Sequence, residues 1–101
     1  MVALLPDEQM RALGFTDRFD GFWFSSNCVE GDVWLDFTVN KITGRYDEFV
    51  SHAMIGQPEY YGRMIPKSRE RYIARINKIV ADMNAGGLAF KVDHRAYGVD
   101  E

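Results

Sequence analysis

The chain has 101 residues, 12 Lys+Arg against 15 Asp+Glu, a formal charge of -3, 47% hydrophobic residues and 14% aromatics. That length supports one domain around one core, taken here as residues 1–101, and the hydrophobic share excludes a disordered chain. The single cysteine, Cys28, excludes an internally disulfide-stapled scaffold and fits a reducing compartment, so the expected location is cytoplasmic.

Residues 1–8 carry no basic segment and reach carboxylates at Asp7 and Glu8, which argues against a secretory signal. The uncharged stretch 49–57 contains Ser51 and His52 and falls far short of the ~20 apolar residues of a membrane span, so no membrane association is expected.

Pro6, followed by Asp7 and Glu8, suits the start of a short helix that Gly14 stops, with Leu5, Met10 and Leu13 as its apolar contacts. Residues 19–28 form an aromatic-rich first strand, and the turn chemistry of 29–32 leads into a second strand over 33–40. There Val33, Leu35, Phe37 and Val39 share one face and Trp34, Asp36, Thr38 and Asn40 the other, the alternation of a half-buried sheet. Residues 41–45 make a second turn and 45–52 a third strand, although 46–55 also scores as helix.

Residues 56–62 read as a loop from their Gly and Pro content. Pro66 or Ser68 then opens a long amphipathic helix in which Tyr72, Ile73, Ile76, Ile79, Val80 and Met83 recur at steps of three and four, closed by Gly86 and Gly87. A last strand over 88–93 alternates Leu88, Phe90 and Val92 against Ala89, Lys91 and Asp93, and the tail from His94 is expected to be mobile at its end. The order α-β-β-β-α-β predicts an α+β fold: an antiparallel sheet of about four strands, one short N-terminal helix and one long helix. Its expected core sets Ile73, Ile76, Val80 and Met83 against Leu35, Phe37, Phe90 and Val92. Over residues 6–84 the order helix, three strands, helix is similar to that of double-stranded-RNA-binding domains. The acidic chain and the short first helix argue against that function.

Charge is distributed unevenly. Residues 1–62 carry four basic and ten acidic groups, while 63–78 carry Arg63, Lys67, Arg69, Arg71, Arg75 and Lys78 against Glu70 alone. Lys67, Arg71, Arg75 and Lys78 fall along one side of the helix, where like charges repel by a few tenths of a kcal/mol per pair. Such a stripe either pairs with the acidic sheet or binds an anion, with Arg63 and the Tyr60–Tyr61 pair beside it.

Among the aromatics, Trp23, Trp34, Tyr46, Tyr60 and Tyr61 are the candidates for a partner-binding surface, whereas Phe22, Phe24 and Phe37 are assigned to the core. For nucleophilic chemistry the sequence supplies only Cys28, His52 and His94. A Cys28–His52 pair is conceivable across the sheet, but no third orienting group is evident. The same three residues lack metal-ligand spacing, and the carboxylate pairs Asp7/Glu8, Asp17/Asp20, Glu30/Asp32 and Asp47/Glu48 fall at turns and element ends. The expectation is therefore a non-enzymatic protein-binding module without metal or cofactor, a small regulator or inhibitor acting by surface occlusion. Its size and acidity are similar to those of phage-encoded inhibitors of bacterial defence. The alternative is nucleotide or single-stranded nucleic-acid binding through residues 63–78, and a homodimer is one way to cover the sheet face that carries Trp34.

Overall fold

The computed structural model describes residues 4–18 and 20–100; Phe19, the expected first residue of the first strand, lies outside them. A short helix, α1 (Asp7–Ala12), precedes five strands: β1 (Thr16–Arg18), β2 (Phe22–Glu30), β3 (Val33–Asn40), β4 (Tyr46–His52) and β5 (Gln57–Pro58). A single turn of 3-10 helix (Tyr61–Arg63) leads into α2 (Pro66–Ala85), and a second 3-10 turn (His94–Tyr97) follows near the end. The strands lie in sequence order in one antiparallel sheet, each joined to the next by a tight connection. The class is α+β, with five strands rather than four.

The two strands that sequence reading misses, β1 and β5, have three and two residues, too few for alternation to be visible. The expected strand over 88–93 is extended but joins no ladder. Its alternation is nevertheless correct, since Leu88, Phe90 and Val92 are buried and Ala89, Lys91 and Asp93 exposed. The segment crosses over the inner face of the sheet instead of extending it. Side chains secure it: Asn84 Nδ2 donates to the Phe90 carbonyl (3.0 Å), Asn84 Oδ1 accepts from the Phe90 N–H (2.7 Å), and the Tyr46 hydroxyl accepts from the Lys91 N–H (2.9 Å).

On β3 the burial pattern matches the predicted alternation, with Val33, Leu35, Phe37 and Val39 in the core. Ile76 and Met83 of α2 are buried with them, and Ile73 and Val80 pack partly buried against the same cluster. A β-bulge between Cys28 and Glu30 shifts the phase of β2, and Val29 enters the core as the extra residue. Glu30, which strict alternation would send to the outer face with Ser26 and Cys28, is thereby turned toward α2.

The tail from His94 is docked through Tyr97 and Val99, and its last residue, Glu101, lies outside the described residues. Tyr97 is buried, its hydroxyl donating to Glu48 Oε2 (2.9 Å) and accepting from the Val50 N–H (3.1 Å). Gly62 makes this docking possible, because a Cβ there would lie 2.2 Å from the backbone of both Gly98 and Val99.

Candidate functional site: the outer sheet face and the basic helix

All the core residues of the strands lie on one face, which α1, α2 and the segment after α2 cover. The register assigns the other face to Phe22, Phe24, Ser26 and Cys28 of β2, Asn40, Thr38, Asp36 and Trp34 of β3, and Asp47, Phe49 and Ser51 of β4. None of the four large aromatics in this set, Phe22, Phe24, Trp34 and Phe49, belongs to the core cluster. Phe49 is 40% exposed and the other three are half-buried. Asp36 sits among them, accepting from Ser26 Oγ at 2.6 Å, and faces Phe49 across the ladder. At one end of the face the β4–β5 connection projects Met54 and Ile55, 76% and 64% exposed, beside a 350 Å³ concavity lined by Ser26, Trp34, Asp36, Ser51, Ala53 and Gly56.

The candidate aromatics separate accordingly. Trp34 lies on this face, as its alternation predicts. Trp23 does not: it is 2% exposed, on the inner face, with Lys41 Nζ 4.3 Å and the Arg11 guanidinium 5.3 Å from its ring centre. Tyr61 is fully buried and stacks on Tyr97 and Tyr72 at 5.4 and 6.2 Å. Its hydroxyl meets His94 Nδ1 at 2.5 Å, while His94 Nε2 meets Asn77 Oδ1 at 2.8 Å. Asn77 Oδ1 only accepts, so Nε2 carries a hydrogen and donates to it. Burial pushes the phenols of Tyr61 and Tyr97 well above their ordinary value. Tyr46 is half-buried, edge-on to Phe90 at 4.8 Å, and Tyr60 is exposed beneath the Arg63 guanidinium at 4.9 Å. Tyr60 and Tyr61 therefore do not form one surface. In the run Phe22-Trp23-Phe24 all three residues are apolar, so the sequence holds nothing to tell which phase faces out; Phe22 and Phe24, expected in the core, lie on the outer face.

The basic stripe is partly neutralised. Arg71 makes a bidentate pair with Glu30, Nε to Oε1 at 2.7 Å and Nη2 to Oε2 at 2.9 Å. Arg75 approaches the same carboxylate at 3.8 Å and donates to the Val29 carbonyl at 3.1 Å. The Arg71 hydrogen bonds hold the Glu30 carboxyl below its ordinary value, with the charges of Arg71 and Arg75 acting in the same direction. Lys78 pairs with Asp82 one turn on, at 3.0 Å. Among the described residues, Lys67 and Arg69 form no ion pair.

Cys28 and His52 do not form a pair. The register aligns Cys28 with Trp34 and Ser51 on the outer face, whereas His52 is aligned with Val33 on the inner one, and β3 separates them. The Cys28 thiol donates to the Gly31 carbonyl at 3.6 Å, and His52 Nδ1 is buried without a hydrogen-bond partner among the described residues. No group of three His, Cys, Asp or Glu among the described residues is placed to hold a metal ion, and no helix among them is long and apolar enough to cross a membrane.

The comparisons with known proteins give one partial likeness. An elongation factor 1-gamma from Trypanosoma cruzi is 35% identical over 52 residues, which cover 48% of this chain and 13% of that protein. No protein-family model matches the chain, and no solved structure matches it significantly. The likeness is one of a segment and does not establish a family for the chain.

Proposed function

We propose that the protein is a non-enzymatic protein-binding module, a small regulator or inhibitor whose outer sheet face occludes a basic, partly apolar surface on a partner protein. The observation that carries this reading is the set Phe22, Phe24, Trp34 and Phe49, four large aromatics outside the core on one sheet face. Aromatics of this kind anchor interfaces because they bury much area at little cost in side-chain entropy. Asp36 and Asp47 lie on the same face, which favours a cationic partner surface.

The basic helix supports the nucleic-acid alternative less well, because Glu30 already occupies Arg71 and Arg75. Co-purification of the tagged protein from its native cells, with identification of bound partners, tests the proposal. The partner should be retained by the wild type and lost with Trp34→Ala and Phe49→Ala, each costing ~2 kcal/mol or more in binding. Retention by both folded variants would show that this face is not the site, and a nucleic acid recovered in place of a protein would favour the alternative.

A further inference from the structure

The edges of the sheet differ in how their backbone groups are satisfied, and one stretch of β4 stands out. Val50 faces away from β3: its N–H donates to the Tyr97 hydroxyl and its carbonyl accepts from the Glu59 N–H at 3.0 Å. In an antiparallel ladder this outward direction recurs every second residue, so the N–H and C=O of Glu48 and Tyr46 point outward as well. β5 pairs only with Ser51 and His52, and no hydrogen bond from the described residues reaches those four groups. The segment over 88–93 does not close this edge, because it lies across the inner face.

Two concavities flank the open stretch. One, of 650 Å³, is lined by Tyr46, Glu48 and residues 91–95 on the inner side. The other, of 490 Å³, borders Tyr46 and Asp47 on the outer side, together with Phe22, Thr38, Asn40 and Arg45. Successive side chains of a strand point to opposite faces, so a strand laid along Tyr46–Glu48 would send alternate side chains into the two concavities.

We propose that this edge of β4 is a β-augmentation site that takes an extended segment of another protein carrying a Lys or Arg opposite Asp47. Main-chain hydrogen bonds to Tyr46 and Glu48 supply register, and the side chains supply selection. Asp47 lies between the two outward-bonding residues, so the residue opposite it belongs to a non-hydrogen-bonded pair, with Cα atoms about 4.5 Å apart and side chains in close approach. A cation there is favoured and a carboxylate disfavoured. The same geometry argues against a second copy of this chain. The antiparallel self-pairing that uses both Tyr46 and Glu48 sets Asp47 against its own counterpart, and a shift toward the C-terminal end meets Val50, whose groups are already taken. This site borders the end of the outer face that carries Phe22 and Asp47, but its main-chain contacts run along the β4 edge and require neither Trp34 nor Phe49.

The test uses the full chain and two capped heptapeptides, one alternating lysine and threonine, the other with glutamate for lysine. Amide hydrogen exchange read by NMR should slow at least tenfold at Tyr46 and Glu48 on saturation with the lysine peptide and stay unchanged with the glutamate peptide. Asp47→Lys, at an exposed position, should weaken the lysine peptide at least tenfold, and Asp47→Asn should fall between. Trp34→Ala should leave the peptide affinity unchanged, which separates this site from the aromatic face. Unchanged exchange at both amides at millimolar peptide would overturn the proposal, as would equal protection by the two peptides. Protection without peptide in a sample that sediments as a dimer would overturn it in favour of self-pairing.

Discussion

Phe90 lies flat on Phe37, with ring centroids 4.1 Å apart and planes 10° from parallel. The stack fastens the segment after α2 to the centre of the inner sheet face, where Tyr46 meets Phe90 edge-on and Phe15 lies 6.1 Å away. A residue of the segment that follows the long helix therefore completes the core begun by β3, in the same cluster that takes Ile76 and Met83 of α2.

That arrangement makes α2 dependent on its central contact. Ile76 is fully buried, and Ile76→Ala should cost about 2–5 kcal/mol through lost transfer energy and the cavity left behind. Urea denaturation read by circular dichroism checks this, with a lower midpoint expected at an unchanged slope.

The two tryptophans should report different environments. Trp23→Ala should cost about 3–5 kcal/mol, since it empties a core position, whereas Trp34→Ala should fall within about 1 kcal/mol of wild type. Acrylamide quenching of each single-tryptophan variant supplies the check: Trp34 fluorescence should be quenched readily and Trp23 fluorescence should be shielded.

Glu48 is half-buried against Tyr97, and desolvation holds its carboxyl above the ordinary 4.5, opposed by the Tyr97 hydrogen bond and reinforced by the charges of Asp93 and Asp47. The folded state thus binds this proton more tightly than the unfolded chain. The stabilisation is full below the unfolded value and is lost as pH rises through the raised folded one. Glu48→Gln removes the buried charge and keeps an acceptor for Tyr97, so it should raise the melting temperature at about pH 7 and change it little at about pH 3. Thermal melts of both proteins across that range read the sign directly.

Glu30 masks the middle of the basic stripe. Glu30→Gln should release Arg71 and Arg75 and increase binding of a single-stranded oligonucleotide, with a log–log salt slope steeper by about 0.7 for each further phosphate neutralised. Fluorescence anisotropy at several salt concentrations measures both quantities. Wild-type binding as strong and as salt-dependent as that of Glu30→Gln would show that Glu30 does not mask the stripe.

The sequence by itself determined the elements whose periodicity runs long enough to be read. The alternation of 33–40 marked Val33, Leu35, Phe37 and Val39 as core and put Trp34 on the opposite face, and the three-and-four spacing of α2 marked Ile76 and Met83. Local pattern encodes which side of an element is apolar, and that was legible. It does not encode what lies against that side, so the burial of Leu88, Phe90 and Val92 was visible while their position across the sheet, rather than beside it, was not. Tertiary structure alone decided the phase of Phe22-Trp23-Phe24, the bulge that turns Glu30 toward Arg71, and the burial of Tyr61 beneath Tyr97. The burial of Tyr61 and the pairing of Glu30 with Arg71 depend on contacts between residues distant in the chain, which no local preference of composition or spacing records.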